Sequence, residues 1–301
     1  MSTFRVTPLT QGFVARVDGP DLSRGLDPGQ IDWFHQAMND HAVLIFPSQN
    51  LTRELQIHLS RQLGLLESTA NPSLRLGTAW MSDISNLGQN NEVLQPHEQR
   101  RQFGLANRLW HTDSSFFPIP AQYSLLYAVR LPATGGDTEF ADLRQAAEAL
   151  SPSRLAALSP LVGYHSLARS REILGVTLDA DRAQWPWARH PLLHRHQGSG
   201  RISLYLASHL SHFDHMPLAD GRLLVLDLME WATQARWVYR HRWSVGDLVI
   251  WDNRSTMHRG RPFPDHEVRE LRRTTLTNQS ALTALNNSNL AQESLPHATT
   301  T

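Results

Sequence analysis

Two segments near the N-terminus carry apolar residues at the spacing of an amphipathic helix. The first opens with Asp27–Gln30, which supplies an N-cap, a proline in the first turn and a capping-box glutamine, and its apolar stripe runs to Met38. The second begins at Thr52, keeps leucines on one face as far as Leu63 and stops at Gly64. The pattern therefore predicts two surface helices whose apolar faces pack on a core.

Most of the remaining apolar pattern predicts β-structure. The short run His41–Pro47 indicates a buried strand, and helical spacing returns only over Asp142–Leu150 and Leu218–Ala235. Further strands are predicted at Tyr123–Leu131, Asp137–Ala141, Arg201–Ala207, Trp237–Trp243, Leu248–Trp251 and Glu270–Thr277. Their irregular spacing and long connections favour a β-sandwich with flanking helices over an immunoglobulin-like arrangement.

The apolar pattern ends close to residue 279. Residues 280–301 are rich in Ser, Asn, Thr and Ala, so we expect one domain over 1–279 followed by a mobile tail. No apolar run approaches the roughly 18 residues that a membrane helix needs. The segment Met1–Thr10 also lacks the basic and apolar pattern of a signal peptide. A cytoplasmic protein is the expectation.

Composition narrows the chemistry through two absences. The 301-residue chain has 28 basic and 28 acidic side chains, every basic one is arginine, and cysteine does not occur. Lysine Schiff bases, phosphate-loop lysines, thiolate zinc sites, iron–sulfur clusters and cysteine nucleophiles are therefore excluded. A neutral net charge argues against nucleic acid or an anionic membrane as the main partner. Any protein-bound metal must be held by Asp, Glu or the 16 histidines.

The sequence His-x-Asp, which can contribute two ligands to a metal, occurs twice. The pairs are His111/Asp113 and His212/Asp214, about as many as chance predicts, so the motif alone carries no weight. In a strand, residues i and i+2 share a face, so His111 and Asp113 could aim at one point. His258, in the segment Trp251–His258 at the end of the strong strand Leu248–Trp251, offers the third ligand of a two-histidine, one-carboxylate iron(II) triad. The second pair lies in a histidine-rich segment before Pro217 that we interpret as a polar turn.

An arginine-rich strand follows the third candidate ligand. Period two places Arg269 and Arg273 on one face and Arg272 on the other. Two inward arginines are costly to bury unless anions meet them, and an arginine fork binds a carboxylate bidentately. The pattern thus favours two carboxylate-bearing small molecules. Ordinary surface charge on a solvated face is the alternative that the residues leave open.

Four ordered segments carry a family resemblance. They are Asn107–Phe116, Gly135–Phe140, His241–Leu248 and Trp251–Arg261. Together they resemble the taurine/2,4-dichlorophenoxyacetate dioxygenase family, and most of all its members that act on 2,4-dichlorophenoxyacetate, over about Pro8–Thr277. The resemblance implies a double-stranded β-helix, or jelly roll. It also implies an enzyme that uses Fe(II), 2-oxoglutarate and O2.

The resemblance assigns roles to nine residues. It implies that His111, Asp113 and His258 are the metal ligands and the catalytic centre. It further implies that 2-oxoglutarate is bound by Thr138, Trp251 and Arg269, and that the substrate is bound by Asn107, Phe116 and Arg273.

The implied substrate is a small anionic aromatic compound. The family's reaction would hydroxylate the carbon beside the carboxylate of an aryloxyalkanoate, releasing a phenol, glyoxylate, succinate and CO2, a step in aromatic-compound and herbicide breakdown. One departure from the family pattern concerns the segment between Glu67 and Ser82, which is shorter than in the phenoxyacetate enzymes and lacks a lysine. Three alternatives stay open: the same chemistry on a sulfonate or alkyl sulfate, a zinc hydrolase on the same triad, and a metal-free jelly-roll binding protein. Monomeric and homo-oligomeric states are both compatible with the sequence.

Overall fold

The computed structural model describes residues 4–68, 78–176 and 185–283. Its helices are α1 to α7, at Pro28–Asp40, Arg53–Leu63, Gln99–Gly104, Leu143–Glu148, Pro152–Leu158, Leu167–Glu172 and Leu218–Ala232. Its strands are β1 to β15, at Arg5–Pro8, Val14–Asp18, Val43–Phe46, Ser82–Ser85, Ala121–Arg130, Thr138–Asp142, Val162–Ser166, Trp187–Pro191, Leu193–Arg195, Ile202–Leu204, Leu210–Phe213, Val238–His241, Leu248–Asp252, Thr256–Gly260 and Glu270–Thr277.

One large sheet and several small ones form the sandwich. The large sheet has the order β1-β2-β3-β13-β5-β15-β4 and is antiparallel except where β2 pairs with β3. Two three-stranded sheets, β12-β6-β14 and β11-β7-β8, form the other layer together with the β9–β10 hairpin. This arrangement is the expected double-stranded β-helix (jelly roll).

Alternation along β13 explains why the large sheet is buried on both faces. Leu248 and Ile250 pack outward against α1 and α2, whereas Val249 and Trp251 point inward. The inward residues meet Phe140 of β6, so the two layers share an apolar interior. A third apolar cluster joins the back of the small sheets to α4 and α7. Helices thus cover both outer faces, and the sandwich interior remains for the site.

Helix starts are where the sequence places them. Asp27 caps α1 through a complete capping box with Gln30, and Thr52 accepts a hydrogen bond from the Leu55 amide at the start of α2. Asp142 caps α4 by accepting from two backbone amides. Both later helices are shorter than predicted, since α4 ends at Glu148 and α7 ends at Ala232.

Other expectations about local structure were wrong or incomplete. Eight strands were not predicted: β1, β2, β4, β7, β8, β9, β11 and β14. Several of them are four residues long or shorter, or carry polar residues that hide the alternation. Residues 279–283 are helical and residues 284–301 lie outside the described residues, so the division into a domain over 1–279 and a tail over 280–301 stays a prediction. No helix in the described part of the chain has the length and apolar content needed to cross a membrane.

Candidate active site

Three side chains meet in the sandwich interior. One ligand atom each from His111, Asp113 and His258 lies within 4.8 Å of the other two, and all three residues are buried. Each histidine Nε2 is 3.8 Å from one oxygen of the Asp113 carboxylate. Among the described residues, no other group of three His, Asp or Glu converges in this way.

Backbone hydrogen bonds bring the two histidines together. The His111 amide donates to the His258 carbonyl at 3.0 Å, and the His258 amide donates back at 2.8 Å. His111 belongs to this isolated bridge and Asp113 to a turn, so the prediction that strand alternation aligns them was wrong. His258 lies on β14, a strand that was not predicted. A turn separates β13 from β14, and the two strands belong to different sheets.

The carboxylate of Asp113 is held by neighbours on the large sheet. The Ser124 hydroxyl donates to one oxygen at 2.7 Å, and Arg273 Nη1 donates to the other at 2.5 Å. Asn253 accepts from the Asp113 amide and donates to Ser124 Oγ. Burial by itself raises the pKa of Asp113, but Arg273 and the two histidines outweigh it and hold that pKa below its usual range. Asp113 is therefore an anion.

The donor set fits a divalent metal. His111 Nδ1 lies 2.8 Å from the Leu109 carbonyl oxygen, which can only accept, so Nδ1 carries the proton and Nε2 presents a lone pair. That Nε2 is buried and has no hydrogen-bond partner. Burial lowers the pKa of both histidines, which keeps them neutral. Two neutral imidazoles and one carboxylate form the set typical of non-haem iron(II).

Two cavities adjoin the three converging side chains, and together they are lined by all nine predicted site residues. They share Asn107, His111 and Arg273. We call the first the cosubstrate cavity, after the residues that the family resemblance assigns to the cosubstrate; it is also lined by Ile84, Leu126, Thr138, Trp251, His258, Gly260 and Arg269. We call the second the substrate cavity on the same basis; it is also lined by Glu67, Ser82, Ala106, Asp113, Ser114, Phe116, Leu167, Arg171, His209 and Thr275.

A glycine turn positions the cationic end of the cosubstrate cavity. Arg269 is buried, and its Nε donates to the Gly136 carbonyl at 3.0 Å. Gly136 has φ +73°, and a Cβ there would lie 3.0 Å from Arg269 Nε, so glycine allows this close approach. The turn leads into Thr138, whose hydroxyl accepts a hydrogen bond from Trp243. Burial lowers the pKa of Arg269 to about 10, still far above neutral pH.

The substrate cavity combines aromatic and charged walls. Phe116 packs edge-on against His209, with ring centroids 4.8 Å apart. His209 Nδ1 is 3.0 Å from the Ser115 hydroxyl, so this histidine is both a hydrogen-bonded structural residue and part of the wall. Arg273 Nε is buried without a partner.

Sequence reasoning missed two charged residues of this wall. Glu67 accepts a 2.6 Å hydrogen bond from Ser114, and burial raises its pKa to about 7. Arg171 is buried on α6. Neither lies in a recognisable motif, and both reach the cavity only through the fold. Most of the short segment after Glu67 that departs from the family pattern, residues 69–77, lies outside the described residues.

The second His-x-Asp pair, His212 and Asp214, does not converge with a third possible metal ligand among the described residues. His212 lies on strand β11, where a polar turn was expected, and its ring stacks on Tyr164 at 5.2 Å. Asp214 pairs with the exposed Arg189 at 3.4 Å. His196 is buried and hydrogen-bonded to Asp252 at 2.9 Å.

Arg272 occupies the opposite face of β15, as the register predicts, but solvent does not cover that face. Helix α2 covers it: Ser60 of this helix bonds Thr274, and Gln56 donates to the Arg272 carbonyl. The Arg272 guanidinium donates to the Leu51 carbonyl and lies over the Tyr127 ring. Truncating Arg272 to alanine would therefore leave buried polar groups unpaired.

Comparison with known proteins agrees with this geometry. The profile of the family described as taurine catabolism dioxygenase TauD, TfdA family matches residues 5–275. The chain is 42% identical over 275 residues to the alpha-ketoglutarate-dependent 2,4-dichlorophenoxyacetate dioxygenase of Cupriavidus pinatubonensis, covering 89% of this chain and 96% of that protein. Alpha-ketoglutarate is a synonym of 2-oxoglutarate.

A second relative and a solved structure extend the comparison. The (S)-phenoxypropionate/alpha-ketoglutarate-dioxygenase of Delftia acidovorans is 33% identical over 273 residues, covering 87% of this chain and 91% of that protein. The crystal structure of AAD-2 in complex with Mn(II) and N-oxalylglycine superposes with a TM-score of 0.85 at 39% identity. That match covers 91% of this chain and 98% of AAD-2.

Proposed function

The chain belongs to the taurine catabolism dioxygenase TauD, TfdA family and is a 2-oxoglutarate-dependent non-haem iron dioxygenase, and from this premise we propose that its substrate is a small aryloxyalkanoate anion. The single observation that carries the substrate assignment is Arg273, a cation that lines both cavities beside the three converging residues. The 42% identical relative that acts on 2,4-dichlorophenoxyacetate supports the same class. We also infer that the enzyme works in the cytoplasm.

We propose that His111, Asp113 and His258 hold Fe(II). When bound there, the iron supplies the oxidising chemistry that uses O2 and 2-oxoglutarate to convert a substrate C–H bond to C–OH. The protein residues keep the two imidazoles neutral and the carboxylate charged, so all three donate lone pairs. Ser124 and Asn253 fix the orientation of the Asp113 carboxylate, and hydrogen-bond partners of this kind tune metal affinity.

We propose that the cosubstrate cavity binds 2-oxoglutarate. Arg269 would hold its distal carboxylate through the guanidinium nitrogens that do not bond Gly136, and the Thr138 hydroxyl would bond the same group. Trp251, fully buried with its ring 4.4 Å from that of His258, closes the inner wall and excludes water. Arg269 is a buried cation that faces an apolar wall. Because an unpaired buried charge is costly, each carboxylate of the 2-oxoglutarate dianion needs its own positive partner, and Arg269 can be one of them.

We propose that Arg273 anchors the substrate carboxylate while Phe116 and Asn107 bound the space for its aryl group. This places the carbon between the ether oxygen and the carboxylate beside the metal ligands. Hydroxylation of that carbon gives a hemiacetal, which collapses to a phenol and glyoxylate. 2-Oxoglutarate loses CO2 and becomes succinate. The protein contributes position and charge, and these terms are worth several kcal/mol in such reactions.

The test of this proposal is substrate charge. In wild type, phenoxyacetate should release succinate roughly 10- to 100-fold faster than phenoxyacetamide, the range expected for a charge-assisted bond of about 1.5–3 kcal/mol. In Arg273→Gln the two should become nearly equal, because the cation is gone. The acid-to-amide ratio is taken within each protein, so an overall loss of activity does not affect it. A ratio that survives the substitution would show that Arg273 is not the anchor.

A further inference from the structure

A second arginine, Arg171, is buried and reaches the substrate cavity from the other layer of the sandwich. Arg171 lies near the end of α6, which follows and contacts β7 of a small sheet, whereas Arg273 lies on β15 of the large sheet. Arg171 is only 7% exposed, and its guanidinium lies 5.0 Å from the centre of the Phe103 ring. Both arginines line the substrate cavity.

The hydrogen bonding of Arg171 is incomplete. Nη1 donates to the Ser170 hydroxyl at 2.8 Å, while Nε is buried without a partner and Nη2 makes no hydrogen bond to the described residues. The Nε–Nη2 edge of a guanidinium is the edge that fits a carboxylate with two parallel bonds. The free edge of Arg171 is therefore the one suited to an oxyanion.

No carboxylate of the described chain pairs with Arg171. Among the other buried arginines, Arg144 lies beside Asp142 and donates to two backbone carbonyls. Arg272 donates to the Leu51 carbonyl and lies over the Tyr127 ring. Arg269, which the proposed function assigns to 2-oxoglutarate, likewise has no carboxylate partner among the described residues. Burial lowers the pKa of Arg171 to about 10, so it is charged at neutral pH. A buried charge without a counter-ion is expensive, which makes a purely structural role costly.

Glu67, the acid in the same wall, does not neutralise Arg171. Its carboxylate accepts from Ser114, and burial brings its pKa to about 7, with Arg273 as the one cation that opposes the shift. Arg171 instead acts on two histidines that line the same cavity. Burial is the main cause of the lowered pKa of His209 and His111, and the charge of Arg171 adds to it. Arg273 adds to the same lowering, so both cations act on the two histidines, and Arg273 alone opposes the raised pKa of Glu67.

We propose that Arg171 is a second anion-binding residue of the substrate cavity, so that the preferred substrate is an aryloxyalkanoate with a second oxyanion, a carboxylate or sulfonate, on its ring. This inference rests on the proposed function for the first carboxylate. Arg273 would hold the side-chain carboxylate, and the free edge of Arg171 would hold the group on the ring. The aryl ring would then lie between the two cations, beside Phe116.

Binding can test this without turnover. The protein is loaded with Mn(II) and N-oxalylglycine and titrated calorimetrically with 3- and 4-carboxyphenoxyacetate and with the matching carbamoylphenoxyacetates, which have nearly the same shape and one charge fewer. Wild type should bind at least one of the carboxyl compounds roughly 10- to 100-fold more tightly than its carbamoyl partner. In Arg171→Gln the two members of that pair should bind about equally. The control Arg189→Gln, which removes an exposed arginine outside the cavity, should keep the wild-type ratio.

The outcomes separate this inference from the proposed function. A wild-type protein without preference for either ring carboxylate, or a preference that persists in Arg171→Gln, would overturn the role of Arg171. If Arg171→Gln does not fold, Arg171→Lys decides. A lysine, which retains the charge but has no fork, should reduce the preference without abolishing it, and an unchanged preference would count against the inference. Succinate release from unsubstituted phenoxyacetate by wild type tests the proposed function separately. Its failure, alongside an Arg171-dependent ring-carboxylate preference, would refute only the assigned reaction.

Discussion

Two histidine-rich regions of the molecule contain the same short motif, and only one of them forms a site. His111 and Asp113 converge with His258 in the sandwich interior, while His212 and Asp214 lie on and beside β11 with an aromatic ring and an exposed arginine as neighbours. The motif brings two donors close in sequence in both places. The difference is the third donor, which only a paired strand from elsewhere in the chain can supply.

The sheet that contains His212 also contains buried histidines, and burial alone does not make them a metal site. His165, His190 and His194 surround Tyr205, with ring centroids 4.4–5.4 Å from that of the tyrosine. No carboxylate joins this histidine cluster among the described residues. Burial leads the causes that lower the pKa of all three histidines, so they pack as neutral aromatic rings. A charged, buried and oriented carboxylate is what distinguishes the first region.

The strongest way to break the comparison is to remove each aspartate in turn. Asp113→Ala should abolish metal binding and succinate release, because the site loses its only anionic donor. Asp214→Ala should keep both near wild-type levels, since an exposed ion pair contributes about 0–1 kcal/mol to stability alone. Metal content after desalting and succinate release measure the two effects. Loss of metal in Asp214→Ala with retention in Asp113→Ala would reverse the assignment.

A milder change tests whether the hydrogen-bond partners of the Asp113 carboxylate contribute to metal affinity. Ser124→Ala removes the 2.7 Å hydrogen bond to Asp113 and should weaken Mn(II) binding by roughly 10- to 100-fold, the usual effect of losing a hydrogen-bond partner of a ligand. The matched change in the second region, Arg189→Ala, removes the partner of Asp214 and should leave metal affinity unchanged. Calorimetric titration with Mn(II) measures both. Equal affinities in the two variants would mean that orientation of Asp113 does not depend on Ser124.

The smallest effect concerns pH and the histidine cluster. Burial lowers the pKa of His194 to about 4, below its ordinary value near 6.5, so between these values the unfolded chain binds more protons than the folded one. Its contribution to stability is therefore complete above pH 6.5 and declines as pH falls toward 4, by about 1 kcal/mol for each pH unit. His194→Phe keeps the stacking on Tyr205 and should flatten this dependence.

Denaturant unfolding at several pH values between 4 and 7 measures the slope. The same substitution at His58, an exposed residue of α2, serves as the control and should leave the slope unchanged. If His194→Phe retained the full wild-type slope, the buried imidazole would not be the titrating group.

Local sequence was a reliable guide wherever a local interaction forms the element. Asp27 and Thr52 cap their helices because a side-chain oxygen three residues from an amide needs nothing else from the fold. Alternation on β15 likewise placed Arg269 and Arg273 on one face and Arg272 on the other. The alternation did not indicate that α2 covers the face of Arg272, because the two-residue repeat of a strand shows which side chains share a face and not which element packs on that face.

The donor chemistry follows from composition: with no cysteine or lysine, the chain is restricted to a histidine–carboxylate centre and arginine-bound anions, and four motifs identified the family. Tertiary structure decided which His-x-Asp pair converges, since His111 meets His258 through a backbone bridge and Asp113 is oriented by a turn. It also decided that Glu67 and Arg171 share the substrate cavity. The physical reason is range: caps and strand faces depend on neighbours a few residues apart, whereas a site depends on pairings between sheets that no local pattern records.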